Sequence, residues 1–267
     1  MTGLGRAASA AAVIRGCRSE LAARRSNVLR EAVGRPGEAE DWRHYPPGDG
    51  YDLISHAQYF FHRHPSAADT IHQAAEQGHF HLFLRAEGMP AGAQPLLLPE
   101  AAIAKEHLPT PPQAAPSKRG ARDEVSHLVA IAVDGAGEPV RLFTTNRWVT
   151  GETWYRAEDV VRMLDRFSLD AAEPASFVNF WLTAMVRLYQ PEIAMLLRER
   201  DRMVMDPIRR RRRTDVFEDP KLEITSSLDI DLEARLAAVD RLATDRTILS
   251  QPSAPPRIPR LAEGWGS

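Results

Sequence analysis

The pattern of apolar and polar positions predicts strands in the first half of the chain and helices in the second. Residues 57–63 are rich in aromatics, and 79–86 begin with alternating histidine and apolar positions, so both ranges are predicted strands. Two further predicted strands, 126–134 and 139–147, flank DGAGE (134–138), the clearest hairpin signal in the chain. Helical periodicity follows over 157–167 and 177–188, and Pro191 marks a kink or a new helix start. Strands followed by helices indicate an α+β domain, in which C-terminal helices cover a small antiparallel β-sheet.

The N-terminal stretch predicts a helix of its own. Ile14, Cys17, Leu21 and Val28 recur at spacings of three, four and seven residues, which places them on one helical face. Residues 1–19 contain arginines and no acidic residue, a composition that targeting segments share. We favour the ordinary helix, because Arg15 interrupts the apolar run that a signal peptide needs.

Turn-forming and proline-rich stretches divide the rest of the chain. HYPPGDG (44–50) is a connection that cannot be helical, 88–120 is dense in proline and alanine, and a last amphipathic helix is predicted over 229–245. We therefore predict a helical extension over 1–40, a single α+β domain over 41–245, and a flexible Pro-rich tail over 246–267.

Composition and charge exclude several classes of protein. A net charge of -2 gives no global attraction to nucleic acid or to anionic membranes. The arginine run 209–213 is followed at once by acidic residues, so a solvated linker is favoured over a nucleic-acid arm. No apolar run approaches the roughly 20 residues of a membrane span. The single cysteine, Cys17, excludes an internal disulfide and a Cys-based zinc site, and it fits a reducing cytoplasm.

Histidines are crowded in one part of the sequence. Seven of the nine lie between Tyr51 and His107, and they include the pairs His62/His64 and His79/His81. Alternation in a strand puts the members of each pair on one face, so neighbouring strands could collect up to four imidazoles. Such a surface could hold a divalent metal, with His62, His79 and His81 as candidate ligands. Nearby carboxylates could add oxygen ligands, namely Asp52, Glu76 and Glu87. The interpretation that we favour is half-buried strand histidines that line a polar groove without a metal.

A second candidate site follows the predicted hairpin. The segment TTNRWVTGETW (144–154) combines hydroxyl groups, an amide and an arginine just before a helix, and these are components of an anion site. The candidate ligand-binding residues are Thr145, Asn146 and Arg147, together with His56. The alternative, which we favour, is that the threonines stabilise turns, that Arg147 pairs with Glu152 or Asp159, and that the tryptophans anchor the core.

Four strings of the sequence resemble those of a known family. HYP (44–46), SHAQY (55–59), GHFHLF (78–83) and TTNRWVTGE (144–152) are similar to an uncharacterised bacterial family, the domain of unknown function numbered 6969. The resemblance covers approximately residues 41–242. It implies a bacterial, single-domain protein, and it brings no known activity.

Two functional hypotheses follow. In the first, His56, His62, His79 and His81 approach Arg147 and Glu152 in a groove that binds or hydrolyses a small anionic ligand, with or without a divalent metal. The catalytic candidates are His79, His81, Arg147 and Glu152: histidine would act as metal ligand or general base, and Arg147 would stabilise the anion. In the second, the protein is a non-enzymatic binding or scaffold protein with structural histidines and a helical partner interface over 177–202. The oligomeric state is left open.

Overall fold

A single antiparallel sheet with helices packed on it forms the fold. The computed structural model describes residues 3–34, 40–64, 76–96, 124–206 and 216–250. Within these ranges the chain has an N-terminal helix, a seven-stranded sheet and C-terminal helices. The predicted α+β class is therefore confirmed.

The four predicted strands form the middle of the sheet. The order is β6-β1-β2-β3-β4-β5-β7, and every neighbouring pair is antiparallel. The strands are β1 Tyr45–Asp52, β2 Ala57–His62, β3 Glu76–Arg85, β4 Val125–Asp134, β5 Pro139–Thr145, β6 Ala172–Glu173 and β7 Ile224–Asp229. The turn-rich segment 44–50 enters β1, and its pairing with β2 is irregular between Tyr45 and Gly50.

Seven helices accompany the sheet in the described part of the chain. They are α1 Gly3–Ala23, α2 Val28–Val33, α3 Arg147–Thr150, α4 Ala157–Leu164, α5 Phe177–Leu188, α6 Gln190–Met205 and α7 Leu232–Ser250. Pro191 lies in the first turn of α6, where its missing N–H costs no hydrogen bond. None of the described helices is long and apolar enough to cross a membrane.

The main core lies between one face of the sheet and the helices. Tyr59 and Phe61 of β2 and Phe80 and Leu82 of β3 are buried in it, together with Ile14 of α1. Because side chains alternate along a strand, the residues between them point to the opposite face. That opposite face carries the histidines.

Some sequence predictions fall outside the described residues. These are most of the Pro-rich segment 88–120, the arginine run 209–213 and the tail beyond residue 250. The proposed division into extension, domain and tail stays a prediction.

Candidate metal centre

The register of β2 and β3 brings three histidines together. His62 lies directly opposite His79, and Phe60 lies opposite His81, so His81 is the diagonal neighbour of His62 on the same face. On the other side of β3, small residues face the histidines: Ala132 is opposite His79 and Ala130 is opposite His81. Phe143 of β5 packs against these two alanines and closes this side of the cluster.

Ring nitrogens of these histidines converge. His62, His79 and His81 each offer one ligand nitrogen, and the three nitrogens lie within 4.8 Å of one another. Nε2 of His62 is 2.8 Å from Nε2 of His79 and 3.3 Å from Nε2 of His64. Two imidazole nitrogens on one tetrahedral zinc ion are about 3.4 Å apart, since each Zn–N bond is about 2.0–2.1 Å. To surround an ion, the closest pair would open by about half an ångström, and a pair at the upper limit of 4.8 Å would close by about 1.4 Å.

Packing against aromatic rings and burial from solvent keep the histidines neutral. Phe60, Phe83 and Phe143 pack against the rings, and His81 is only 1% exposed. Burial, reinforced by repulsion from the neighbouring imidazoles, lowers the pKa of His62 to about 3. The same causes place the pKa values of His79 and His81 well below the ordinary value. At neutral pH each ring therefore offers a lone pair.

His127 extends the cluster through a bulge in β4. The pairing of β3 with β4 shifts between Leu82 and Phe83, which inserts an extra residue in β4. Strict alternation would put His127 on the face opposite to Ala130, but the bulge turns it onto the histidine face. There its Nε2 is 3.1 Å from Nδ1 of His81, and its Nδ1 is 3.3 Å from Oγ1 of Thr145. Burial, with repulsion from Arg200, lowers the pKa of His127 to about 3.

A buried carboxyl group supports the backbone at this bulge. The N–H of His127 donates to Oε2 of Glu152 at 2.8 Å, and Glu152 is 2% exposed. Burial raises the pKa of Glu152 to about 7, although Arg200 and the hydrogen bond from His127 oppose the shift. Glu152 thus contacts the site through the backbone N–H of His127.

The outer side of the cluster is lined by aromatic residues before β1. The indole of Trp42 lies 4.2 Å from the ring of His64, and it is 59% exposed. His44 stacks on Phe60 at 3.7 Å. Trp42 has a φ of 65°, which is uncommon for a bulky residue, and its N–H donates to the carbonyl oxygen of Arg63. Strained positions of this kind cluster at binding sites.

Comparison with known proteins identifies the family. The model of the family described as "Domain of unknown function (DUF6969)" matches residues 8–230. The chain belongs to this family. The match starts at residue 8, so it includes most of α1, which the motif resemblance left outside. No curated protein and no solved structure matches the chain. The family supplies no activity, and functional inference for this DUF6969 protein rests on the site itself.

Two of the predicted anion-site residues make structural contacts. Asn146 is the N-cap of α3, where its side chain accepts from the N–H of Arg147 and donates to the carbonyl oxygen of Val216 at 2.8 Å. The Nε of Arg147 pairs with Glu218 at 2.6 Å, and its guanidinium lies over the ring of Phe217. Arg147 thus pairs with a residue 71 positions away rather than with Glu152 or Asp159. The side chain of Thr145, by contrast, contacts the ring of His127, and the side chain of Glu152 contacts the backbone N–H of the same histidine.

The other candidates lie away from the three converging nitrogens. His56 occupies the turn between β1 and β2, at the far end of β2 from His62, and its Nδ1 is 2.8 Å from the hydroxyl of Tyr51. Asp52 accepts backbone N–H groups of the same turn. Glu76 pairs with Arg141 at 2.7 Å, and Glu87 lies in the 3-10 turn Ala86–Gly88. Among the described residues, the candidate metal ligands are therefore all histidines.

Sequence inspection alone missed three residues of this region. Trp42 and His44 precede the first predicted strand, and His127 stands at the start of a strand whose alternation assigns it to the wrong face. Only the residue type of His127 and its place in a strong strand hinted at a role.

Proposed function

We propose that this protein binds one divalent transition-metal ion through His62, His79 and His81, and that the metal holds a small anionic ligand at an open position. The observation that carries the proposal is the convergence of three ring nitrogens within 4.8 Å on one face of the sheet. In this proposal the metal takes the anion-binding role that the sequence suggested for Arg147.

The ligand set suits a borderline metal such as Zn²⁺. Imidazole nitrogen binds zinc, copper, nickel and iron, whereas calcium and magnesium prefer oxygen. The depressed pKa values of His62, His79 and His81 leave their lone pairs free at neutral pH. Three protein ligands with a fourth position open are typical of catalytic zinc sites rather than structural ones.

The charge at the site supports an anionic partner. Three imidazoles are neutral ligands, so the full double charge of the ion would remain among aromatic rings. An uncompensated charge in such surroundings is costly, and an anion at the open position offsets it. Hydroxide, a carboxylate or a phosphate would serve. A zinc-bound water has a pKa near 7, so hydrolysis of a small ester or phosphate is the reaction class we propose.

One observation favours a different function. The 2.8 Å contact between His62 and His79 is a good hydrogen-bond distance between two neutral rings. Histidines that only bond to each other would suit the competing hypothesis of a binding or scaffold protein that needs no metal. The two functions differ in whether the purified protein takes up a metal ion.

Zinc titration of the full chain tests the proposal. Chelator-treated protein is titrated with Zn²⁺ against a chromophoric competitor, alongside His62→Ala, His79→Ala and the control His56→Asn. Asparagine tolerates the positive φ of position 56, and His56 lies outside the cluster. We expect one ion per chain in the parent and the control, and a loss of at least about 100-fold in affinity in the two alanine variants, since each removes one ligand. Parent protein without zinc binding, or alanine variants that bind as tightly, would overturn the proposal.

The anionic ligand is tested on the same preparation. Co²⁺-loaded protein is mixed with inorganic phosphate or acetate, and the visible absorption of the cobalt is followed. Binding at an open position changes the spectrum, and an unchanged spectrum with both anions contradicts this part of the proposal.

We also propose a bacterial, cytoplasmic protein. The support is the family resemblance together with a lone cysteine, Cys17, that is buried in α1 and forms no disulfide.

A further inference from the structure

We infer that His127 is a positioning residue that orients His81 for metal binding, with Thr145 and Glu152 holding His127 in place. This inference rests on the proposed metal site. It assigns a role to a residue that sequence alternation places on the wrong face of the sheet.

The contacts of His81 determine which nitrogen remains for the metal. Nδ1 of His81 faces Nε2 of His127 at 3.1 Å, which leaves Nε2 of His81 as the ligand nitrogen. A metal-bound Nε2 requires the hydrogen on Nδ1, and that hydrogen is donated to His127. If His127 donated instead, His81 would carry its hydrogen on Nε2 and could not bind the ion. The tautomer of His127 therefore controls whether His81 is a ligand.

The next contact sets the tautomer of His127. With a lone pair on Nε2, the neutral ring carries its hydrogen on Nδ1, which lies 3.3 Å from Oγ1 of Thr145. The hydroxyl of Thr145 can accept this hydrogen. Nδ1–H of His81 then donates to Nε2 of His127, and Nδ1–H of His127 donates to Thr145 in β5. With the metal on Nε2 of His81, all four ring nitrogens of the two histidines have partners.

The backbone bulge in β4 places His127 in this arrangement. It turns His127 onto the histidine face, and the N–H of His127 goes to the carboxyl group of Glu152. His127 and Glu152 are both almost fully buried. A buried carboxyl placed on one backbone N–H holds the bulge, and thereby His127, in one position. Outer partners of this kind typically account for 10–100-fold in metal affinity.

Substitutions at His127 separate positioning from packing. His127→Leu removes the acceptor, whereas His127→Gln places an amide oxygen near the position of Nε2 and can still accept from His81. We expect His127→Leu to weaken Zn²⁺ binding by about 10–100-fold and His127→Gln to restore most of the affinity. Thr145→Val keeps the shape of the side chain and is expected to weaken binding in the same direction as His127→Leu. The control His56→Asn should bind like the parent.

The visible spectrum of Co²⁺-loaded protein provides a readout that a purely structural role would not move. We expect His127→Leu to alter the cobalt bands at full metal occupancy, because the orientation of His81 changes, and His127→Gln to resemble the parent. If the parent binds zinc and both His127→Leu and Thr145→Val bind as tightly with unaltered bands, the inference is overturned and the metal site stands. If His127→Leu does not fold, Thr145→Val decides: parent-like zinc affinity with unaltered cobalt bands in that variant overturns the inference. Parent protein that binds no metal overturns both the inference about His127 and the proposed metal site.

Discussion

At the scale of single residues, Gly78 is the position beside the cluster that has least room for change. It precedes His79 in β3 and has a φ of 150°. A Cβ atom there would lie 2.4 Å from Cζ of Phe61 and 2.5 Å from the carbonyl oxygen of His62. Both distances are too short for real contacts, so β2 and β3 would have to separate where they present His62 and His79.

Gly78→Ala therefore tests whether the close approach of β2 and β3 determines the geometry of the site. We expect a loss of about 1–3 kcal/mol in the free energy of unfolding, as for overpacked positions, and weaker Zn²⁺ binding. Urea unfolding and zinc titration measure the two effects. Gly135→Ala is the matched control, because its Cβ would meet Gln77 only at 3.5 Å or more. Equal stability of Gly78→Ala and Gly135→Ala would show that β2 and β3 accommodate the added Cβ atom more easily than the distances indicate.

Individual residues also show where sequence reasoning stops. Alternation correctly put His79 and His81 on one face, because period two holds along β3. It fails for His127, because one bulge reverses the alternation and leaves no mark in the sequence. The pairing of Arg147 with Glu218 was equally hidden, since nothing local indicates a contact across 71 residues.

At the scale of elements, strands with runs of aromatic or branched apolar residues were predictable from the sequence, whereas strands without such runs were not. The predicted strands over 57–63, 79–86, 126–134 and 139–147 agree with β2 to β5 within a few residues. β1 contains two prolines and two glycines, which argue against a strand, yet its pairing with β2 and β6 makes it one. β7 comes after α6 and pairs with β5, a non-local contact that no periodicity predicts.

At the scale of the whole molecule, the buried histidines couple stability to pH. The pKa values of His62, His64, His79, His81 and His127 are all lowered in the folded protein. In the unfolded chain each would titrate near 6.5, so unfolding takes up protons below that pH. Their contribution to stability is present above pH 6.5 and is lost as the pH falls toward the folded values, about 3 for His62 and His127.

Glu152 acts in the opposite direction. Its pKa is raised to about 7, so its contribution is present at low pH and is lost as the pH rises through that value. The single proton that Glu152 releases on unfolding does not cancel the protons, up to five, that the histidines take up.

We therefore expect metal-free protein to lose stability steeply on acidification. The melting temperature in chelator should fall between pH 7 and pH 4.5, with each proton taken up costing about 1.4 kcal/mol per pH unit. His127→Gln should show a shallower fall, because it removes one of the five groups. A melting temperature that stays constant or rises over this range would contradict the description of the cluster as buried and neutral.

X-ray absorption at the zinc edge of the loaded, full-length protein tests the central claim most directly. A site made by His62, His79 and His81 predicts nitrogen or oxygen ligands at about 2.0–2.1 Å, with the multiple-scattering signature of three imidazoles. A sulfur ligand at about 2.3 Å, which only Cys17 or a methionine could supply, would contradict it. So would a shell of light atoms without the imidazole signature.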